Sequence, residues 1–105
     1  MNLERAKKIA KQYIAFLKNN DIPVTHAYLF GSYAKGTAHE GSDIDISIVS
    51  PRFGKDRIYE RTKLLNLRRS ISLEIEPHPL SPSDMKSEWN PLVWEIKSHG
   101  IAIKS

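Results

Sequence analysis

The sequence predicts an α/β chain of the α+β kind, a small sheet flanked by helices. Three observations carry that expectation. Residues 3–19 repeat apolar side chains at three- and four-residue steps, the signature of one helix face. Residues 43–50, DIDISIVS, alternate at period two. This puts Ile44, Ile46 and Ile48 on one side of a strand and Asp43, Asp45 and Ser47 on the other. Helical and strand-like segments then take turns along the 105 residues, in the order αβ(turn)βαβαα(β). That length suffices for one modest core, and residues 1–105 read as a single domain.

The first helix buries a stripe of Leu3, Ala6, Ile9, Ala10, Tyr13, Phe16 and Leu17, while Lys7, Lys8, Lys11 and Lys18 fall mostly elsewhere. Asn19 and Asn20 suit its C-cap, and Pro23 cannot continue it. Val24 to Gly31 is rich in β-branched and aromatic residues and reads as a strand broken by Gly31-Ser32. YAKGTAHEGS then reads as a short helical turn and a polar loop, before the strand Asp43 to Ser50. Residues 56–70 read as a second helix with Asp56 as N-cap and Ile58, Leu64, Leu65 and Leu67 buried. In ISLEIEPHP, Ile71, Leu73 and Ile75 oppose Ser72, Glu74 and Glu76, and Pro77 is expected to end this third strand. Ser81 or Ser83 caps a short helix with Pro82 in its first turn. Pro91 opens a helical segment through Ile96 that Gly100 ends, and IAI closes the chain as an edge strand or packed tail.

Composition excludes several classes. The chain has no cysteine, hence no disulfide framework or thiolate metal site. It has no apolar run of membrane-spanning length, and MNLERAKKIAKQ is not a signal peptide, so a soluble, cytoplasmic protein with no membrane partner is expected. The net charge of +4 admits a nucleotide partner without demanding one, and the lysines of the first helix read as a solvated face. No basic stripe interleaved with aromatics suggests base stacking, which makes nucleic acid unlikely as the direct substrate.

The chemistry concentrates in LFGSYAKGTAHEGSDIDISIV, Leu29 to Val49. Gly31 permits a sharp turn and close approach of a ligand to the backbone. Ser32 adds a hydroxyl beside backbone N–H groups at the start of a helical turn, an arrangement suited to phosphate. Asp43 and Asp45 project from one strand face, and two such carboxylates can share a Mg²⁺ ion that also binds substrate phosphates. A two-ion site needs further carboxylate, which the third strand offers as Glu76 or Glu74. Glu76, at the expected end of its strand, is the choice, with Glu74 its close competitor.

GSYAKGTAHEGSDIDISI resembles the signature of nucleotidyltransferases related to DNA polymerase beta: Gly-Ser, a further Gly, then Ser-Asp-x-Asp before an apolar strand. The short length resembles the minimal, or MNT, members of that superfamily, and IEPHPLSPSD resembles a tail motif of some of them. The resemblance implies the nucleotidyltransferase fold, a small mixed sheet flanked by helices. It implies transfer of a nucleoside monophosphate, AMP from ATP, to a hydroxyl with the help of two Mg²⁺ ions. Gly31 and Ser32 would hold the triphosphate with Ser42 beside them. Asp43, Asp45 and Glu76 would hold the metal, although the family usually has Asp at the third position. MNT proteins of this kind resemble antitoxins of type VII toxin–antitoxin pairs, so a tyrosine of a HEPN toxin is the implied acceptor. A toxin-binding module without catalysis and an aminoglycoside-like adenylyltransferase are the alternatives, and a homo- or hetero-oligomer stays open.

The remaining polar and aromatic residues divide simply. Lys35 and Lys55 are candidates to reach phosphate, and Tyr33 either packs under the glycine turn or touches nucleotide. His26, His39 and His99 lack partners at metal-ligand spacing, and His78, between two prolines, reads as a loop residue. Trp89 and Trp94 read as packing anchors before nucleobase stackers, with a protein interface as the other role.

Overall fold

A computed structural model of the chain describes residues 2–104. Helix α1 (Leu3–Asn19) starts where the Asn2 side chain accepts the backbone N–H groups of Glu4 and Arg5. It ends at Asn20, after which Asp21 takes a left-handed φ of 65°. Strand β1 (His26–Phe30) leads into a helical turn, α2 (Ser32–Lys35), and strand β2 (Ile44–Val49) follows the polar loop. Helix α3 (Arg57–Leu67) runs on into a 3-10 turn, Arg68–Ser70. Strand β3 (Ile75–Leu80), a 3-10 turn at Asp84–Lys86, helix α4 (Pro91–His99) and the short strand β4 (Ile101–Ala102) complete the chain.

The strands form one four-stranded mixed sheet in the order β3-β2-β1-β4. β1 is antiparallel to both β2 and β4, and β2 and β3 run parallel. The alternation of β2 assigns its two faces. Ile44, Ile46 and Ile48 join Ala27, Leu29 and Ile75 against Ala10, Tyr13, Ile14 and Leu17 of α1 and Leu64 of α3. The Tyr13 hydroxyl donates to the Leu64 carbonyl at 2.8 Å inside this core, and burial raises its pKa. On the opposite face Phe30, Val49 and Leu80 pack with Ile96 of α4, beside Met85 and Leu92.

Three expectations are corrected here. Pro77 does not end β3: the strand begins at Ile75 and runs through Pro77 and Pro79. The reason is parity at a sheet edge. The carbonyls of Glu74 and Leu80 accept from Ile44 and Ser50, so even-numbered residues turn their backbone groups toward β2. Odd-numbered residues face the open edge, where the Arg68 guanidinium caps the carbonyls of Leu73 and Ile75. A proline at 77 or 79 therefore removes no ladder hydrogen bond.

Ile58, expected to be buried, is 83% exposed. With Asp56 as N-cap, accepting from Tyr59, the helix phase turns Glu60 and Leu64 inward instead. Glu60 receives the N–H groups of Gly54, Lys55 and Asp56. Burial pushes its carboxyl up, yet these donors and Arg57 outweigh that and hold it below the ordinary range. Trp89 and Trp94 are not packing anchors, at 89% and 63% exposed. Val93 and Ile96 form the inward face of α4, which leaves Trp94 outside, and Trp89 precedes the cap at Asn90.

Candidate active site

The site builds from the end of β1. At Gly31 the backbone has φ 73° and ψ −149°, a combination essentially reserved to glycine. A Cβ there would lie 2.3 Å from Asp45 Oδ2. The absent side chain thus serves both the turn and the carboxylate laid against it. Asp45 stands opposite Phe30 on β1 and Glu76 on β3 in the strand register. It is half-buried, and its Oδ1 lies 3.3 Å from His78 Nε2. The His78 ring in turn meets Phe30 edge-on, with centroids 5.0 Å apart.

Glu76 shares the face of Asp45 and pairs with Arg61, which reaches it from α3. Asp43 lies just before β2 and is exposed. It opens onto a cleft of about 700 Å³ together with Arg5, Ser42 and Glu74. Glu74 accepts two bonds from Arg5, at 3.1 and 2.5 Å. That guanidinium holds the Glu74 carboxyl below its ordinary value. Ser42 fastens the polar loop: its Oγ accepts the His39 N–H and its own N–H donates to the His39 carbonyl.

The structure thus brings Gly31, Asp45 and Glu76 side by side, sets Asp43 in a cleft that none of those three lines, and ties Glu74 to α1. Lys35 does not stand free above the turn but pairs with Glu95 of α4 at 2.5 Å. Lys55 lies past the far end of β2, beside a cavity of about 290 Å³ lined by Ile22, Phe53 and Tyr59. Tyr33 packs in the core, and among the described residues its hydroxyl has no hydrogen-bond partner. His78 is a strand residue and not a loop residue. Continuing the alternation Glu74, Glu76, His78 through the prolines would have found it. Arg61 carried no signal in the sequence, because its neighbour lies on another element.

Among the described residues no three His, Cys, Asp or Glu side chains converge closely enough to hold a metal ion. The register sets the Asp45 and Glu76 carboxylates side by side, and carboxylate oxygen is the ligand type that a hard divalent cation takes. His78 and Arg61 face two of these carboxylates instead.

The family model for the nucleotidyltransferase domain matches residues 7–98. The chain belongs to this nucleotidyltransferase family. A protein of Methanocaldococcus jannaschii, named as a candidate protein adenylyltransferase, is 40% identical over an alignment of 77 positions that covers 65% of this nucleotidyltransferase chain and 50% of the relative. The chain therefore spans about half the length of that relative. A chain of a crystallised toxin–antitoxin with AMP-PNP superposes with a TM-score of 0.62 at 28% identity, over 90% of this chain and 73% of the other. The complex of a tri-AMPylated Shewanella oneidensis HEPN toxin with an MNT antitoxin contributes a likeness of fold. Its TM-score is 0.58 at 23% identity, over 94% and 72% of the two chains. Among the described residues no helix is long and apolar enough to cross a membrane.

Proposed function

We propose that this nucleotidyltransferase moves AMP from ATP to a hydroxyl of a protein, a tyrosine of a HEPN toxin, and so acts as the antitoxin of the pair. The observation that carries the reading is the Asp45 carboxylate laid against the side-chain-free Gly31, with Glu76 as its cross-strand neighbour. On this reading a triphosphate held at the turn would bring its α-phosphorus beside the carboxylates, and an acceptor oxygen held there would stand opposite the departing pyrophosphate, as in-line displacement requires. In this reading the Gly31-Ser32 turn holds the triphosphate, with Ser42 bracing the loop at its side. Asp43, Asp45 and Glu76 would hold Mg²⁺, which would lower the pKa of the acceptor hydroxyl and steady the departing pyrophosphate. The new bond joins the acceptor oxygen to the α-phosphorus as the bond to the bridging oxygen of pyrophosphate breaks.

Three observations support a protein acceptor. One relative carries a protein adenylyltransferase name, and another was crystallised as a toxin–antitoxin with AMP-PNP. Trp89 and Trp94 stand exposed, and such residues are enriched where proteins meet. The test is to incubate the chain with Mg²⁺, labelled ATP and the product of the neighbouring gene. Label should pass to that protein and be lost with Asp43→Ala/Asp45→Ala. Equal labelling by the double variant, or none by wild type, defeats the proposal.

A further inference from the structure

We propose that Arg61 is a built-in counter-ion of the carboxylate row, which a divalent cation must displace from Glu76 on binding. The inference rests on the reading of Asp43, Asp45 and Glu76 as the metal-holding set. β3 lies at the edge of the sheet, and its parallel register sets Glu76 directly beside Asp45. Two like charges on neighbouring strands repel unless a cation stands near. Arg61, three residues before the buried Leu64, reaches Glu76 Oε1 with Nη2. The neighbouring arginines point elsewhere: Arg57 holds Asp84 at 2.8 Å, and Arg68 caps the carbonyls of Leu73 and Ile75.

Position and exposure together define the role. Across the sheet the order is Gly31 at the end of β1, Asp45 on β2 and Glu76 on the edge strand β3, where Arg61 reaches it from α3. Arg61 therefore engages the carboxylate two strands away from the glycine turn, so its charge acts on the row more strongly than on a triphosphate held at that turn. Both partners of the ion pair are partly exposed, so opening it costs little stability. A guanidinium and a dication on one carboxylate repel each other, so Arg61 offsets one negative charge of the row and tunes the cation concentration at which the site fills. Arg61 is a positioning residue in this account; it touches neither nucleotide nor acceptor.

The experiment titrates Mn²⁺ into the chain without nucleotide and follows free Mn²⁺ by electron paramagnetic resonance. Arg61→Ala should bind Mn²⁺ about three- to tenfold more tightly at low ionic strength, with the gain shrinking as salt rises. Arg61→Gln, which keeps a hydrogen-bonding side chain without charge, should tighten binding too, whereas Arg61→Lys and Arg57→Ala should match wild type. In a Glu76→Gln background, Arg61→Ala should lose most of its effect. A residue that merely braced the fold would weaken Mn²⁺ binding on removal, not strengthen it. Unchanged or weaker binding by both neutral variants, with wild-type binding still abolished by Asp45→Asn, overturns this inference and leaves the site reading standing. Binding that survives Asp45→Asn, or is absent from every form, overturns the site reading and the inference with it.

Discussion

Gly31→Ala should remove the activity of this site while leaving most of the fold in place. Two costs follow from the structure. The backbone at φ 73° and ψ −149° is essentially closed to other residues, and alanine there costs about 1–3 kcal/mol. The new Cβ would also meet Asp45 Oδ2 at 2.3 Å, about 1 Å inside ordinary contact distance. Asp45 must then swing away from the turn, which opens its 3.3 Å contact with His78. A misplacement of about 1 Å at a reacting centre costs on the order of 10²-fold in rate. Gly36→Ala is the matched control: its φ is 76°, and no neighbouring atom lies within 4 Å of its Cβ position. That variant should lose about 1–2 kcal/mol of stability and keep its transfer rate. Nucleotide transfer and urea midpoints measured on both variants decide the matter. Equal rates for Gly31→Ala and Gly36→Ala would refute the claim that the glycine exists to seat Asp45.

Four further outcomes are expected. Asp45→Asn should lower transfer by at least about 10²-fold while its urea midpoint stays close to wild type, and a near-normal rate would remove Asp45 from the machinery. Glu74, Asp84 and Glu60 all sit below their ordinary pKa, held chiefly by Arg5, by Arg57 and by three backbone N–H groups that overcome burial. Their folded values lie under the unfolded ones, so their stabilisation is complete above the ordinary carboxylate range of about pH 4 and disappears as pH falls through the lower folded values. Urea midpoints should accordingly be flat from pH 7 to 5 and fall below pH 4, with a smaller acid loss in Arg57→Ala. Tyr13→Phe removes the buried bond to the Leu64 carbonyl and should cost about 1 kcal/mol by urea unfolding. Trp89→Ala and Trp94→Ala should change stability by less than about 0.5 kcal/mol yet weaken capture of the partner in a pull-down of the purified pair.

How much of this was legible depended on whether the deciding interaction was local. The stripe of α1 could be read because helix periodicity and the stop at Asn20 lie in consecutive residues. β2 could be read because the alternation Ile44, Ile46, Ile48 against Asp43, Asp45 repeats within one strand, and that same alternation aimed Asp45 at the turn. The Gly31 requirement was visible as a residue type but not as a distance. β3 was misjudged because the fate of Pro77 depends on which backbone groups face β2, a property of the neighbouring strand. His78 was lost with it. The burial of Ile58 failed because its helix phase is set by Glu60, whose partners are backbone N–H groups of the preceding loop. Arg61 was silent because it meets Glu76 only after α3 packs on β3.

The location of the proposed site follows from how unevenly the second face of the sheet is covered. Along β2 that face runs Asp45, Ser47, Val49. Val49 is sealed by Leu80 and Ile96, and Ser47 is fully buried between Tyr28 and His78 in the register. Only at Asp45 does water reach the strand. Helix α4 is nine residues long, about 13 Å at ~1.5 Å per residue, and its inward residues Val93 and Ile96 belong to its middle. Lys35 and Glu95 tie it to α2, which fixes where the cover stops. The opposite face has no such opening, because α1 spans the isoleucines of β2. A carboxylate one residue either way along β2 would point into that apolar core, where burying its charge is costly. The period-two pattern and the reach of α4 therefore select one end of one strand, and Asp45 occupies it.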